Sequence, residues 1–166
     1  GAARANQRMM PAIANSKTSE LIAIGSRRIG AAKECLMKYL PSHENKVICF
    51  DGLDQVINHY SVDAIYVPLA NEEHTEIAIK AIKAKKHVLI EKPIATDPNE
   101  VKAIISEAKK NNVKVMEGFM YAFHPQFDKI KNIISSNILG DINYAHSIFS
   151  FPIKPERYYR INRSMN

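Results

Sequence analysis

The chain is short of cysteine, of long apolar runs and of acidic charge. Cys35 and Cys49 are its only cysteines in 166 residues. They form no C-x-x-C pair and have no histidine at ligand spacing, which excludes a disulfide framework or a structural zinc site as the basis of the fold. A reducing, cytoplasmic compartment is expected, with no metal. No apolar run reaches the ~18 residues that span a bilayer, and the amino terminus lacks the basic-then-apolar pattern of a secretory signal, so no membrane partner is expected. Acidic residues number 17 against 23 Lys and Arg, a formal charge of +6. Much of the excess lies in clusters such as Lys83, Lys85, Lys86 and Lys109, Lys110, Lys114. Solvated helix ends and loops account for these clusters, and no recognition motif accompanies them, so no nucleic-acid partner is expected.

What is present is an ordinary globular composition, 46% hydrophobic and 24% charged, arranged as an alternation of short β-branched runs and helical stretches. That alternation builds a parallel sheet covered by helices. The runs are Leu21 to Ile24, Val47 to Phe50, Ala64 to Val67, His87 to Ile90 and Val113 to Met116. Each is nearly continuous in apolar residues, which predicts burial on both faces. Between them Ile29 to Tyr39, Leu53 to His59, Glu73 to Ala84 and Pro98 to Asn111 read as crossover helices. In the third, Ile77, Ala78, Ala81 and Ile82 share one stripe. The fourth opens with a capping Asp97 and a first-turn Pro98. Right-handed crossovers then give an α/β fold with a doubly wound parallel sheet.

After Met116 the rhythm changes. Pro125 opens a helix to about Ser135, Leu139-Gly140-Asp141 makes a turn, and Ile142 to Phe151 alternates as a strand with one open face. A lone strand is unstable, so this segment is expected to begin a second α+β domain with an open sheet. At the other end no strand precedes Gly1, although the usual strand order puts one in the middle of the sheet. The expectation is a doubly wound α/β domain over residues 1–121 lacking its first strand, followed by an incomplete second domain over 122–166, in a chain truncated at both ends.

Four segments carry chemistry. Gly1-Ala2-Ala3-Arg4 lies where a phosphate-binding turn would, with only the first glycine of G-x-G-x-x-G. After the first visible strand stands Gly25-Ser26-Arg27-Arg28. An enzyme specific for NAD places Asp or Glu there to accept from the ribose hydroxyls. A hydroxyl with two guanidiniums instead donates to a 2′-phosphate, which favours NADP and leaves NAD possible; two surface arginines at a helix start are the bland alternative. Pro68-Leu69-Ala70-Asn71-Glu72-Glu73-His74 follows a buried strand at the carboxyl edge, where Asn71 can cap the next helix and His74 falls in its first turn. Val88-Leu89-Ile90 runs straight into Glu91-Lys92-Pro93 at the same edge. Burial there is expected to disfavour the charged form of Lys92, fitting it to exchange a proton with a substrate oxygen, with Glu91 orienting it; a structural Glu-Lys pair is the alternative.

Gly1-Ala2-Ala3-Arg4, Ser26-Arg27, Tyr66-Val67-Pro68-Leu69 with Asn71 and His74, Glu91-Lys92-Pro93, and Glu117-Gly118-Phe119-Met120-Tyr121 with His124-Pro125 occur in this order. Together they resemble the Gfo/Idh/MocA oxidoreductases, and within that family the branch of dihydrodiol and xylose dehydrogenases and sugar 3-ketoreductases. The resemblance covers nearly the whole chain. It implies a Rossmann NAD(P)-binding domain over residues 1–121 followed by the start of a substrate and dimerisation domain over 122–166, hydride transfer between a nicotinamide and a sugar-like alcohol or ketone, and a homo-oligomer formed through the second domain. It implies Lys92 as catalytic and substrate-binding residue, and cofactor contacts at Gly1, Ala3, Arg4, Ser26, Arg27, Arg28, Pro68, Leu69, Asn71, His74, Glu91 and Lys92. Glu117 would border the nicotinamide, and Tyr121 and His124 the substrate. Ala122 stands where many relatives carry Arg, and with the glycine-poor turn it keeps open a non-catalytic NADP- or sugar-binding module.

Overall fold

The computed structural model describes residue 3 and residues 5–152. In chain order the elements are α1 (Asn6–Ala14), β1 (Ala23–Gly25), α2 (Ala31–Tyr39), β2 (Ile48–Phe50), α3 (Asp54–Ile57), β3 (Ala64–Val67), α4 (His74–Lys83), β4 (His87–Ile90), α5 (Pro98–Asn111), β5 (Val115–Glu117) and α6 (Pro125–Ser135). Short 3-10 turns occupy Pro41–His43, Asn71–Glu73 and Met120–Phe123. The chain divides into two compact units, Gly1–Gly118 and Phe119–Asn166.

All strand pairing is parallel, and the strands form two half-sheets. In one, β1 lies beside β2 with Ile24 opposite Cys49. In the other the order is β3-β4-β5, with Val67 opposite Ile90 and Ile90 opposite Glu117. Each half-sheet has its own core. Met10, Ile24, Ala32, Cys35, Leu36, Leu40 and Val47 pack under the first. The second is filled by Ile65, Val67, Val88 and Ile90 against Ile77, Ala78, Ala81 and Ile82 of α4 and Ile104 and Ala108 of α5. Between the half-sheets runs an open slot of about 640 Å³, lined by β1, β3 and Leu89 but by no residue of β2 or β5. The strands therefore step outward from the slot in both directions, the doubly wound arrangement.

The helices follow the local sequence. Asp97 accepts from the Asn99 N–H at 2.7 Å and Pro98 takes the first turn of α5, which ends where Asn112 adopts a left-handed φ of 54°. In α4 the apolar stripe faces the core, as its periodicity predicts, and His74 joins it. No local pattern announces α1. Pro11 lies inside it and no side chain caps it, yet Met10 is buried and Asn6 donates to Cys35 Sγ at 3.3 Å; packing on α2 overrides the proline.

Two expectations fail. Burial on both strand faces is met on one face only: Ile65, Val67, Val88 and Ile90 are buried, while Tyr66 and Leu89 are half-buried and Met116 is 47% exposed. The cause is that α4 and α5 pack on the same side of this half-sheet, into a single core. The strand expected over Ile142 to Phe151 does not form; among the described residues that segment has no ladder partner, and a strand without one has no reason to persist. No helix among the described residues is long and apolar enough to cross a membrane.

Candidate functional site

Open α/β sheets bind ligands beyond the carboxyl ends of their strands, where the strand order reverses. Here that place is the mouth of the slot between β1 and β3, flanked by the loops after β1 and β3, with the loop after β4 beside the latter.

The loop after β4 is tied down from three directions. From β3, the Tyr66 hydroxyl donates to Glu91 Oε1 at 2.6 Å. Burial and the neighbouring carboxylate both push the Tyr66 phenol well above the ordinary tyrosine range. From α4, His74 lies fully buried with Nδ1 2.7 Å from the Pro93 carbonyl oxygen and Nε2 3.2 Å from that of Leu69. A carbonyl oxygen only accepts, so the short contact puts a proton on Nδ1. From β5, Glu117 Oε1 accepts from the Ile94 N–H at 2.8 Å. Gly118 follows against this loop, donating to the Ile90 carbonyl at 2.7 Å. A Cβ on it would come within 3.2 Å of that oxygen and 3.5 Å of Glu91 Cα, which suits a glycine. The Lys92-Pro93 peptide is cis.

Between these tethers Lys92 is exposed, and among the described residues no carboxylate or carbonyl engages its amine. The burial expected of Lys92 is thus not found within this chain, since the loop turns it outward. Nor does Glu91 orient it, being committed to Tyr66.

The end beyond β1 is built differently. Ser26 is buried and its hydroxyl accepts from the Arg28 N–H at 3.3 Å. The guanidiniums, expected as free donors, are each paired with a carboxylate. Arg27 meets Glu73 across the mouth of the slot, and Arg28 Nη2 meets Glu34 Oε2 at 2.5 Å. That pairing holds the Glu34 carboxyl below its usual range. Gly25 closes β1 where a Cβ would lie 2.4 Å from the Gly52 carbonyl oxygen, so only glycine fits. Asp51, after β2, accepts from the Gly30 N–H at 2.8 Å, where Gly30 has a positive φ of 74° at the start of α2.

Other expected site residues fall out as follows. Pro68 is buried and Leu69 half-buried beside His74. Asn71 does not cap α4; it opens the preceding 3-10 turn, and the helix begins at His74. His74 has both ring nitrogens facing backbone carbonyls, leaving neither for a ligand. The Ala3 carbonyl accepts from Asn6 N–H at 3.1 Å at the start of α1, while Gly1 and Arg4 lie outside the described residues. In the second unit Tyr121 is exposed, edge-on to Phe119 and tilted against Phe127, with centroids at 5.4 and 4.9 Å. His124 caps α6, accepting from the Gln126 N–H at 3.2 Å. Among the described residues no three His, Cys, Asp or Glu gather as a metal site.

Sequence reasoning placed Glu117 at this edge but missed Glu34 and Asp51, and it quoted Tyr66 and Glu73 without their partners Glu91 and Arg27. The one signal of the two missed residues was position, since each stands at a strand end or a helix start.

Comparison with known proteins agrees with this geometry. The profile of the oxidoreductase family with NAD-binding Rossmann fold matches residues 1–119. The chain is 31% identical over 150 residues to dTDP-3,4-didehydro-2,6-dideoxy-alpha-D-glucose 3-reductase of Actinomadura kijaniata, covering 90% of this chain and 43% of that protein. It is 27% identical over 134 residues to trans-1,2-dihydrobenzene-1,2-diol dehydrogenase of Xenopus laevis, covering 81% and 39%. Among solved structures it resembles a 3-ketoreductase of Actinomadura kijaniata, crystallised with NADP and TDP-benzene, with a TM-score of 0.77 at 31% identity over 86% of this chain and 42% of that one. The chain thus spans less than half the length of the relatives it matches. Its strand order, its carboxyl-edge loops and the profile match over residues 1–119 together assign it to the Gfo/Idh/MocA family of oxidoreductases, whose NAD-binding Rossmann fold this chain carries.

Proposed function

We propose that the protein is a cytoplasmic NADP-dependent oxidoreductase that moves a hydride between the nicotinamide and a carbinol or carbonyl carbon of a sugar-like substrate, with NAD as the lesser cofactor. The observation that carries this reading is the exposed, unengaged Lys92 on a loop pinned from β3, α4 and β5. A lysine held this way has its backbone fixed and its amine free to meet a substrate oxygen, and proton exchange there is the protein's share of the reaction. The cofactor, when bound, supplies the redox chemistry. The residues present fit an anionic dinucleotide: the mouth of the slot is the switch point, and Ser26, Arg27 and Arg28 stand at its edge with two cations.

In this reading residues 1–121 are the nucleotide-binding domain. The slot is the seat of its first strand, running parallel to β1 and β3, because both flanking strands turn an unpaired edge toward an apolar space. Residues 122–166 begin the domain that completes the substrate site and makes the homo-oligomer contact, for which the exposed Tyr144, Ile148 and Phe149 are suited. The free thiols of Cys35 and Cys49 fit a reducing compartment. Neither nucleic acid nor membrane enters this reading.

Titrating the full-length protein with NADPH and with NADH, then screening sugar alcohols and keto sugars for hydride transfer, tests it. Tighter NADPH binding with turnover of at least one polyol is expected. Tighter NADH binding overturns the NADP preference, and binding without turnover of any substrate leaves a non-catalytic module.

A further inference from the structure

The Arg27–Glu73 ion pair lies across the ligand crevice. Arg27 follows β1 and Glu73 closes the turn after β3, so the two come from opposite sides of the slot and meet at its carboxyl-edge mouth. A dinucleotide crossing that mouth meets Arg27 with a carboxylate already in place. The partners are not equally fixed: the Arg27 side chain is 64% exposed and that of Glu73 24%. Glu73 is further anchored through Oε2, which accepts from the Ala70 N–H at 3.4 Å, while Oε1 faces Arg27. The carboxylate is thus the stationary partner and the guanidinium the movable one. Glu34, by contrast, is 63% exposed and among the described residues its carboxylate meets only Arg28, so it can swing aside with little loss.

We propose that Glu73 is a specificity-determining residue for the dinucleotide: its carboxylate competes with a 2′-phosphate for the Arg27 guanidinium and lowers the preference for the phosphorylated cofactor. A phosphate taking Arg27 must displace the carboxylate from the guanidinium. A cofactor lacking the 2′-phosphate makes no such demand. The inference rests on the dinucleotide reading above. It also means that Arg27 and Arg28 overstate the affinity for NADP when counted without their counter-ions.

The test is the ratio of NADH to NADPH dissociation constants in the full-length protein and in Glu73→Gln. The amide keeps an oxygen for Ala70 N–H and removes only the charge. The ratio is expected to rise roughly three- to fivefold, the scale of one exposed ion pair. In an Arg27→Ala background the same substitution is expected to leave the ratio unchanged. If Glu73→Gln folds poorly, Glu73→Asp, which draws the carboxylate back by one methylene, is expected to move the ratio the same way by less. A ratio unchanged by Glu73→Gln, with both cofactors still bound, overturns the proposal, and so does a rise that persists without Arg27. Failure of the unsubstituted protein to bind either dinucleotide overturns the underlying reading, and this proposal with it.

Discussion

The two halves of the carboxyl edge are held together by different chemistry. Beyond β3, β4 and β5, the loops are joined by hydrogen bonds that end on backbone atoms or on half-buried groups: His74 to Pro93, Glu117 to Ile94, Tyr66 to Glu91. Beyond β1 and β2, Asp51 and Ser26 each accept from a backbone N–H within that end, and the links between charged side chains, Arg27–Glu73 and Arg28–Glu34, are ion pairs with exposed guanidiniums. Contacts of the first kind are short-ranged and directional, and leaving a buried partner unsatisfied is costly. Those of the second kind are screened by salt and contribute little to stability. The edge is therefore rigid where the proposed chemistry occurs and adaptable where the adenosine end of a cofactor would lie. Rigid placement matters where a proton must move between two heavy atoms, because that step depends on ångström-level geometry.

The contrast is tested most strongly at Lys92. If the tethers exist to present this amine, Lys92→Ala in the full-length protein should lower kcat by ~10²-fold or more, with the NADPH dissociation constant nearly unchanged. Steady-state kinetics beside a binding titration check both halves, and unchanged turnover removes Lys92 from the chemistry. His74→Ala comes next. It empties a fully buried site and strands the Pro93 and Leu69 carbonyls, so a loss of about 2–3 kcal/mol is expected in urea unfolding. A loss below ~0.5 kcal/mol would show that the loop does not need this strut, and the rigid end would be no firmer than the other.

How far the sequence foresaw these arrangements depended on whether the signal was local. The bounds of β3, β4, α5 and α6 agree with those read from β-branched runs, from Asp97-Pro98 and from Pro125, because strand propensity and helix caps act within a few residues. The carboxyl-edge segments were also legible, since a strand running straight into Glu91-Lys92-Pro93 names its own location. What could not be read were partnerships between distant residues. Nothing near Arg27 announces Glu73, and nothing near Glu91 announces Tyr66; these pairs exist only once the strands are side by side. The burial expected of Lys92 failed for a related reason, because a strand's apolar run says where the backbone is buried and not which way the next side chain turns. His74 was legible as a residue of the crevice wall, but its two carbonyl partners belong to two different loops.

Tyr66 offers a finer probe of the rigid end. Removing its hydroxyl in Tyr66→Phe deletes the bond to Glu91, with an expected loss of about 1 kcal/mol near neutral pH. The phenol is raised in the folded state, so its contribution is fully present below the ordinary tyrosine value of ~10 and fades as pH climbs from there toward the raised folded value. Stability measured from pH ~8 to ~11 should therefore fall more steeply for the unsubstituted protein than for Tyr66→Phe. Parallel curves would mean that the hydroxyl is no better placed in the folded chain than in the unfolded one.

The smallest effect is expected at the adaptable end, and it is informative for being small. Arg28 and Glu34 meet at the surface with both side chains exposed, where water competes for both partners and ordering two long side chains costs entropy. Glu34 is held below its usual range by Arg28, so any stabilisation is present above the ordinary glutamate value and lost as pH falls through the lowered one. Arg28→Ala should consequently lower Tm only slightly at neutral pH and moderate salt, and the two stability curves should converge as pH falls through the lowered Glu34 value. A clear drop in Tm that vanishes on adding salt would show that exposed ion pairs do fix this end. The division of the edge into a rigid and an adaptable half would then have to be replaced by one frame, held by hydrogen bonds on one side and by charge on the other.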